Sequence, residues 1–223
     1  MYLNLRDKSV KRECSRCGTC CKKGGPILHL EDKTILLKGI VTHKDLVTLR
    51  KGEFVFNPLD EKIQKLTREV IKVDKKGEGW TCIFYNELES SCNIYENRFL
   101  ECRILKCWDA EEFLRIFCKN TLTRFDMINS NDPVIEIIRE HDKECPCDRF
   151  ETLIINYLKR GDSKTLFQIK ELINKDIRFR LFAFKELGVN REYERFIFGR
   201  SFIELAKIHG ISIKIERNIK HIV

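Results

Sequence analysis

Cys14-Ser15-Arg16-Cys17-Gly18-Thr19-Cys20-Cys21 places four thiols within eight residues, and only small or charged side chains fill the gaps. Cysteines in C-x2-C spacing can turn toward a common centre. Gly18 lets the backbone fold around that centre, and Arg16, Lys22 and Lys23 offset the charge of thiolates. No apolar periodicity runs through the segment, so packing does not compete for these side chains. The loop is built to hold a metal.

Cys14, Cys17 and Cys20 begin like a bacterial ferredoxin run, which wants a further cysteine four positions on, but position 24 is Gly24. The missing ligand must come from afar, and Cys82, Cys92 and Cys102 are the candidates; ligands so widely spaced imply a site assembled only on folding. Successive side chains diverge, so adjacent Cys20 and Cys21 point to two neighbouring centres or a bridged one. Two four-thiolate zinc sites, two iron-sulfur clusters, or one occupied site beside a redox pair all fit the supply of thiols.

Two blocks together carry a family likeness. The loop Cys14-x2-Cys17-x2-Cys20-Cys21, followed by Cys92-x-Ile94-Tyr95-x2-Arg98 and Cys102-Arg103, resembles the CxxCxxCC cysteine-cluster family (YkgJ-type) over roughly residues 12–108. That resemblance implies a zinc- or iron-chelating domain, with Cys14, Cys17, Cys20, Cys21, Cys82, Cys92 and Cys102 as metal ligands and Cys107 as a weaker addition. The chain departs from the family pattern in having Arg98-Phe99 where Arg-Pro is usual, and Trp80-Thr81-Cys82-Ile83-Phe84 where Cys-Pro-Phe is favoured. A further resemblance, confined to the cysteine pattern, is to flagellin lysine N-methylases. It implies an alternative function as an iron-sulfur-dependent methyltransferase using S-adenosylmethionine.

At 223 residues the chain can bury a core without cross-links. Its eleven cysteines are an odd number, and Met1 to Lys8 has none of the apolar character of a signal peptide, which argues against a secreted disulfide framework. No run of about eighteen apolar residues offers a membrane helix. The expectation is a soluble cytoplasmic protein with reduced thiols. The net charge of +8 is concentrated in residues 151–223, which hold fifteen Lys or Arg against nine Asp or Glu. These charges are interspersed with carboxylates, so a solvated face is expected rather than a nucleic-acid surface; a protein partner remains open.

Along the chain, Ile27–Leu30 reads as a short strand and Glu31-Asp32 as a helix start, with helical turns following and strands at 53–56 and 69–73. Asp109 with Glu112 forms a capping-box pattern, with Trp108 stapling on Phe113, for a helix carrying Phe113, Ile116, Phe117 and Cys118. Asp132-Pro133 starts a helix that runs into Cys145-Pro146-Cys147. Apolar residues at helical spacing fill 163–187, Gly188 stops them, and Asn190 caps a last helix ending near Gly210, before an alternating Ile211, Ile213 and Ile215. The fold class is α+β and predominantly helical: a cysteine-rich metal-binding domain at 1–148 and a helical C-terminal region at 149–223. Phe167, Phe179, Phe182, Phe184, Phe196, Phe198 and Phe202 belong to its packing.

Arg98 and Arg103 are placed to bond thiolates or balance their charge, or else to form surface salt bridges. Cys118 reads as a small buried hydrophobe. Cys145 and Cys147 can add a late ligand, although the single intervening Pro146 makes sharing one metal awkward. No histidine stands at zinc-finger spacing from a cysteine pair; His29, His43, His141, His209 and His221 read as structural or exposed, His141 with Cys145 alone having ligand-like spacing on a helix. No glycine-rich nucleotide loop, Ser/His/Asp order or radical-type C-x3-C-x2-C is present. A dithiol oxidoreductase using Cys14 and Cys17 lacks the usual flanking strand and helix and ranks last.

Overall fold

Residues 14–57 and 59–212 are described by the computed structural model. A one-turn helix, α1 (Thr19–Lys22), sits in the first cysteine loop. The chain then runs along residues 26–29, where Leu28 N donates to Ile71 O at 2.9 Å and Leu122 N donates to Leu28 O at 2.9 Å. The expected strand over Ile27–Leu30 is thus realised only as isolated bridges, Ile27 to Lys72 and His29 to Thr121, because a 3-10 turn already starts at Leu30 and leads into α2 (Lys33–Leu37).

Thr42 fixes the next corner: its N–H and hydroxyl both donate to Asp45 Oδ2, at 2.8 and 2.9 Å. Strand β1 (Leu46–Leu49) follows, then the hairpin β2 (Phe54–Asn57) and β3 (Lys62–Lys65), then β4 (Val70–Val73), which returns antiparallel to β1 with Leu46 opposite Val73. The two expected strands are β2 and β4; their partners β1 and β3 were not expected as strands. β1 is buried almost throughout, with Leu46 and Thr48 at 0% exposure, so it shows no alternation for a sequence reading to find.

A small hairpin, β5 (Tyr85–Asn86) and β6 (Ser91–Cys92), precedes α3 (Leu100–Ile104) and α4 (Glu111–Ile116). The expected capping box on α4 does not form: Asp109 accepts from Glu111 N at 3.0 Å, but Glu112 pairs instead with Lys106 at 3.1 Å. Phe117 and Cys118 lie beyond the helix, and Cys118 has a left-handed φ of 56° and is only half-buried. Helices α5 (Arg124–Met127) and α6 (Val134–Glu144) follow, α6 opening with Asp132 Oδ1 accepting from Val134 N at 2.9 Å.

The expected long helix is α8 (Ser163–Lys185), capped by Asp162, and it packs against α7 (Cys147–Arg160). The single helix expected from Asn190 to Gly210 is instead α9 (Glu194–Phe198) and α10 (Phe202–Ile208). Gly199 divides them: its φ is 68°, and a Cβ there would lie 2.7 Å from Thr48 O, so the chain turns against β1 at the one residue that permits such an approach. Of the alternating isoleucines, Ile213 and Ile215 lie outside the described residues.

Helix takes 48% and strand 14%, which makes this the expected α+β, mostly helical fold. One core joins Leu46, Ile71, Cys82, Tyr85 and Phe99 to Ala183, Phe196 and Phe198. A second holds Cys145, Cys147, Phe150, Ile154, Ile173 and Phe202. Phe167 and Phe182, at 64% and 53% exposure, take no part, contrary to expectation. Nor is the basic C-terminal segment merely a solvated face: Arg180 and Arg200 are buried, Arg180 Nε donating to Asp176 at 2.9 Å and Arg200 Nε to Glu53 at 2.7 Å. Among the described residues, no helix is long and apolar enough to cross a membrane.

Candidate metal centre

The first cysteine loop is shaped by two features. Gly18 has a φ of 74°, and a Cβ there would fall within the phenol of the buried Tyr85, so only glycine lets the loop pass beneath that ring. Lys22 N then donates to Gly18 O at 2.8 Å and closes α1, which carries Cys20 and Cys21. Arg16 also has a positive φ, 54°, and lies over the Tyr95 ring at 4.6 Å.

The second block is held against this loop. Cys82 N donates to Cys21 O at 2.8 Å, and a bridge from Lys75 to Cys82 ties the same residue to the end of β4. Cys92 stands opposite Tyr85 in the β5–β6 hairpin. Cys102 rides on α3, whose start is fixed by the buried Asp32, accepting from Leu100 N at 2.7 Å. The neighbouring Glu101 accepts from Ile27 N at 2.8 Å and meets His29 Nε2 at 3.3 Å.

Electrostatics links the seven thiols to one another. The Cys21 thiol hydrogen-bonds the Cys20 sulfur, lowering Cys20 to about 6 and pushing Cys21 up. Cys21 is pushed further by burial and by Cys102 and Cys82. Cys92 is raised by burial and by Cys14 and Cys20, and Cys102 by burial and by Cys82, Glu101 and Cys92. Cys82 is likewise raised by burial, then by Cys92. Cys17 is lowered by hydrogen bonds from Thr19, whose hydroxyl lies 3.3 Å from its sulfur, against the opposing charge of Cys20. Thiols that repel as anions in a half-buried site favour a soft cation among them.

Arg98 is the nearby positive charge. It stacks on Tyr95 at 3.8 Å, donates from Nε to Tyr95 O at 2.9 Å, and pulls down the pKa of both Cys20 and Cys92. Arg103 takes the surface alternative, pairing with Glu31 at 3.8 Å. Lys72, which the sequence did not single out, acts on Cys82 and Glu101; burial pushes its ammonium down and the two anions oppose that. Cys107 is exposed, in the turn bridged from Lys106 to Asp109 beyond α3.

The late cysteines lie elsewhere. Cys145 and Cys147 are buried in the second core, and burial pushes Cys145 up to about 12 and Cys147 upward too. Ligand atoms of Cys145, His141 and Asp176 lie within 4.8 Å of one another. Asp176 on α8 carried no sequence signal. His141 Nε2 meets Asp176 Oδ1 at 2.7 Å, Arg180 Nε donates to the same oxygen at 2.9 Å, and Phe202 N donates to Oδ2 at 3.1 Å. With Arg50 Nη1 a further 3.5 Å from His141 Nδ1, the positive charge is already supplied by guanidinium groups. The group is a buried hydrogen-bond network joining α6, α8 and α10.

The other histidines are structural where described: His29 bonds Lys119 O at 2.8 Å, His43 stacks on Phe196 at 4.3 Å, and His209 meets Glu151 at 2.7 Å. His221 lies outside the described residues.

The fold lays the second cysteine block against the first, but among the described residues no three of the seven cluster cysteines bring their sulfur atoms within 4.8 Å of one another; the one such group is that of His141, Cys145 and Asp176. The CxxCxxCC family, described as "Putative zinc- or iron-chelating domain", matches residues 13–146, and the chain belongs to it. The match extends beyond the resemblance read from the cysteine blocks and takes in Cys118 and Cys145. No curated protein and no solved structure matches the chain.

Proposed function

We propose that this protein binds zinc or an iron-sulfur cluster through Cys14, Cys17, Cys20, Cys21, Cys82, Cys92 and Cys102, with Cys107 as an accessory ligand. Residues 1–148 carry that function, and residues 149–223 form the helical region that supports it. The observation that carries the reading is the contact between the two blocks, where Cys82 N donates to Cys21 O at 2.8 Å across some sixty residues of sequence, within the stretch that the family matches. Sulfur-only ligation suits zinc and iron and disfavours magnesium or calcium.

The bound group would compensate thiolate charge that Arg98, Lys72 and Lys76 leave unbalanced. This chain's part is to hold the sulfurs: α1 and Gly18 present Cys20 and Cys21, Tyr85 covers one side, and Arg98 balances charge at Cys20 and Cys92. The adjacent pair supports more than one centre or a bridged one. Anaerobic purification with a visible spectrum separates the two chemistries. Brown protein with broad charge-transfer absorption identifies iron-sulfur, and colourless protein carrying zinc identifies zinc. Cys21→Ser is expected to lower metal stoichiometry, and an unchanged count would argue for a single centre that does without it.

A further inference from the structure

The Cys14–Cys17 limb of the first block is held differently from the rest of its loop. Downstream of Gly18 the backbone does the holding, Lys22 N donating to Gly18 O and Cys82 N to Cys21 O, both at 2.8 Å. Upstream, Cys14 and Cys17 are exposed, and their sulfurs are engaged from inside the loop: Arg16 N donates to Cys14 Sγ at 3.4 Å, and the Thr19 hydroxyl lies 3.3 Å from Cys17 Sγ. Such bonds shape the limb but do not fix where it lies relative to Cys82, Cys92 and Cys102.

Arg16 carries the limb to the second block. Its guanidinium lies over the Tyr95 ring, 4.6 Å from the centroid, and its backbone is held at a φ of 54°, a left-handed conformation that a non-glycine residue keeps only when its surroundings enforce it. The platform is itself fixed. Tyr95 opens the 3-10 turn Tyr95–Asn97, three residues after Cys92, and Arg98 stacks on the same ring at 3.8 Å while its Nε donates to Tyr95 O at 2.9 Å. Two guanidinium groups drawn to one ring repel each other, so the arrangement suits a place with anions beside it, and Arg98 favours thiolate at Cys20 and Cys92.

We infer that Tyr95 is a positioning residue of the metal centre: its ring, held by Arg98, clasps Arg16 and so keeps the Cys14–Cys17 limb against the second cysteine block. This role rests on the metal reading and adds to it the device that sets how tightly the first block closes. It also gives a function to a residue of the Cys92-to-Arg98 block that offers no sulfur ligand of its own. The ring face makes both stacks, so the phenol hydroxyl is not required.

Cobalt(II) titration of the reduced full chain, read by the thiolate charge-transfer band, tests this, with a melting curve of each metal-free variant alongside. An exposed guanidinium–ring stack changes affinity a few-fold, so Arg16→Gln is expected to weaken cobalt binding about threefold and Tyr95→Leu, which loses both stacks, about tenfold. The metal-free midpoints should stay close to that of the wild type. The double variant should bind no more weakly than Tyr95→Leu alone, and Tyr95→Phe, which keeps the ring, should restore wild-type affinity. If Tyr95→Leu does not fold, Arg16→Gln decides. A wild type without the thiolate band overturns the metal reading, and this role with it. A wild-type band with affinities that neither substitution changes, losses that multiply in the double variant, losses that track a lowered metal-free midpoint, or a Tyr95→Phe loss equal to that of Tyr95→Leu overturns the clasp alone.

Discussion

Gly18 and His141 show two ways in which one residue constrains this molecule. Gly18 was legible in the sequence as the residue around which the loop folds, but its closeness to Tyr85 was not, since that depends on a hairpin nearly seventy residues on. Gly18→Ala introduces both a left-handed alanine, costing about 1–2 kcal/mol, and a clash with the phenol. It is expected to lower metal content and the thermal midpoint together, read by metal analysis and a melting curve. His141 is held neutral: burial first, with help from the charges of Arg50 and Arg180, lowers it to about 4 from its ordinary 6.5, against the opposing bond to Asp176. In the unfolded chain it takes up a proton as pH falls through 6.5, whereas the folded form resists until about 4. Its contribution is therefore complete above pH 6.5 and lost between 6.5 and 4, by up to about 3 kcal/mol at about 1.36 kcal/mol per unit. Asp176, kept ionised by Arg180 and His141 despite its burial, loses its contribution only below its ordinary 3.8. Urea titrations at pH 7.5, 5.5 and 4.5 should show falling stability in the wild type and a flatter profile in His141→Gln; parallel profiles would remove His141 from the account.

At the scale of elements, the sequence disclosed what local chemistry controls. The long α8, the Asp132 start of α6 and the strands β2 and β4 all follow from caps, spacing and β-branched runs. It did not disclose β1, whose residues are buried without alternation, or the break at Gly199, which exists because the chain meets β1 there. Nor did it disclose that α7 begins at Cys147, immediately after the CPC segment. That helix is anchored by Phe150, stacked on Phe202 of α10 at 4.0 Å and 1° between planes, both fully buried. Phe150→Ala should therefore cost about 3–5 kcal/mol, measured by chemical denaturation. A cost below about 1 kcal/mol would mean that the second core collapses around the gap.

Across the whole molecule, the composition changes near residue 148 while the packing does not. The core beneath Cys82 and Tyr85 includes Ala183, Phe196 and Phe198, and Glu53 receives Arg200 from the far end of the chain. Arg200→Met strands a buried Glu53 that is 0% exposed, at an expected loss of about 3–5 kcal/mol in an unfolding titration. Cysteine spacing revealed which blocks must meet, because ligand chemistry limits the options. It could not reveal the helices that hold those blocks in place, because phenylalanines at helical spacing look alike whichever core they enter. The central claim is that the two cysteine blocks form one metal-holding unit. The most direct measurement is metal content by elemental analysis on anaerobically purified protein, paired with a count of titratable thiols before and after chelation. The account predicts bound zinc or iron, with the seven cluster thiols protected until the metal is removed. Folded protein with neither metal, and with Cys14, Cys17, Cys20 and Cys21 freely titratable, would contradict it.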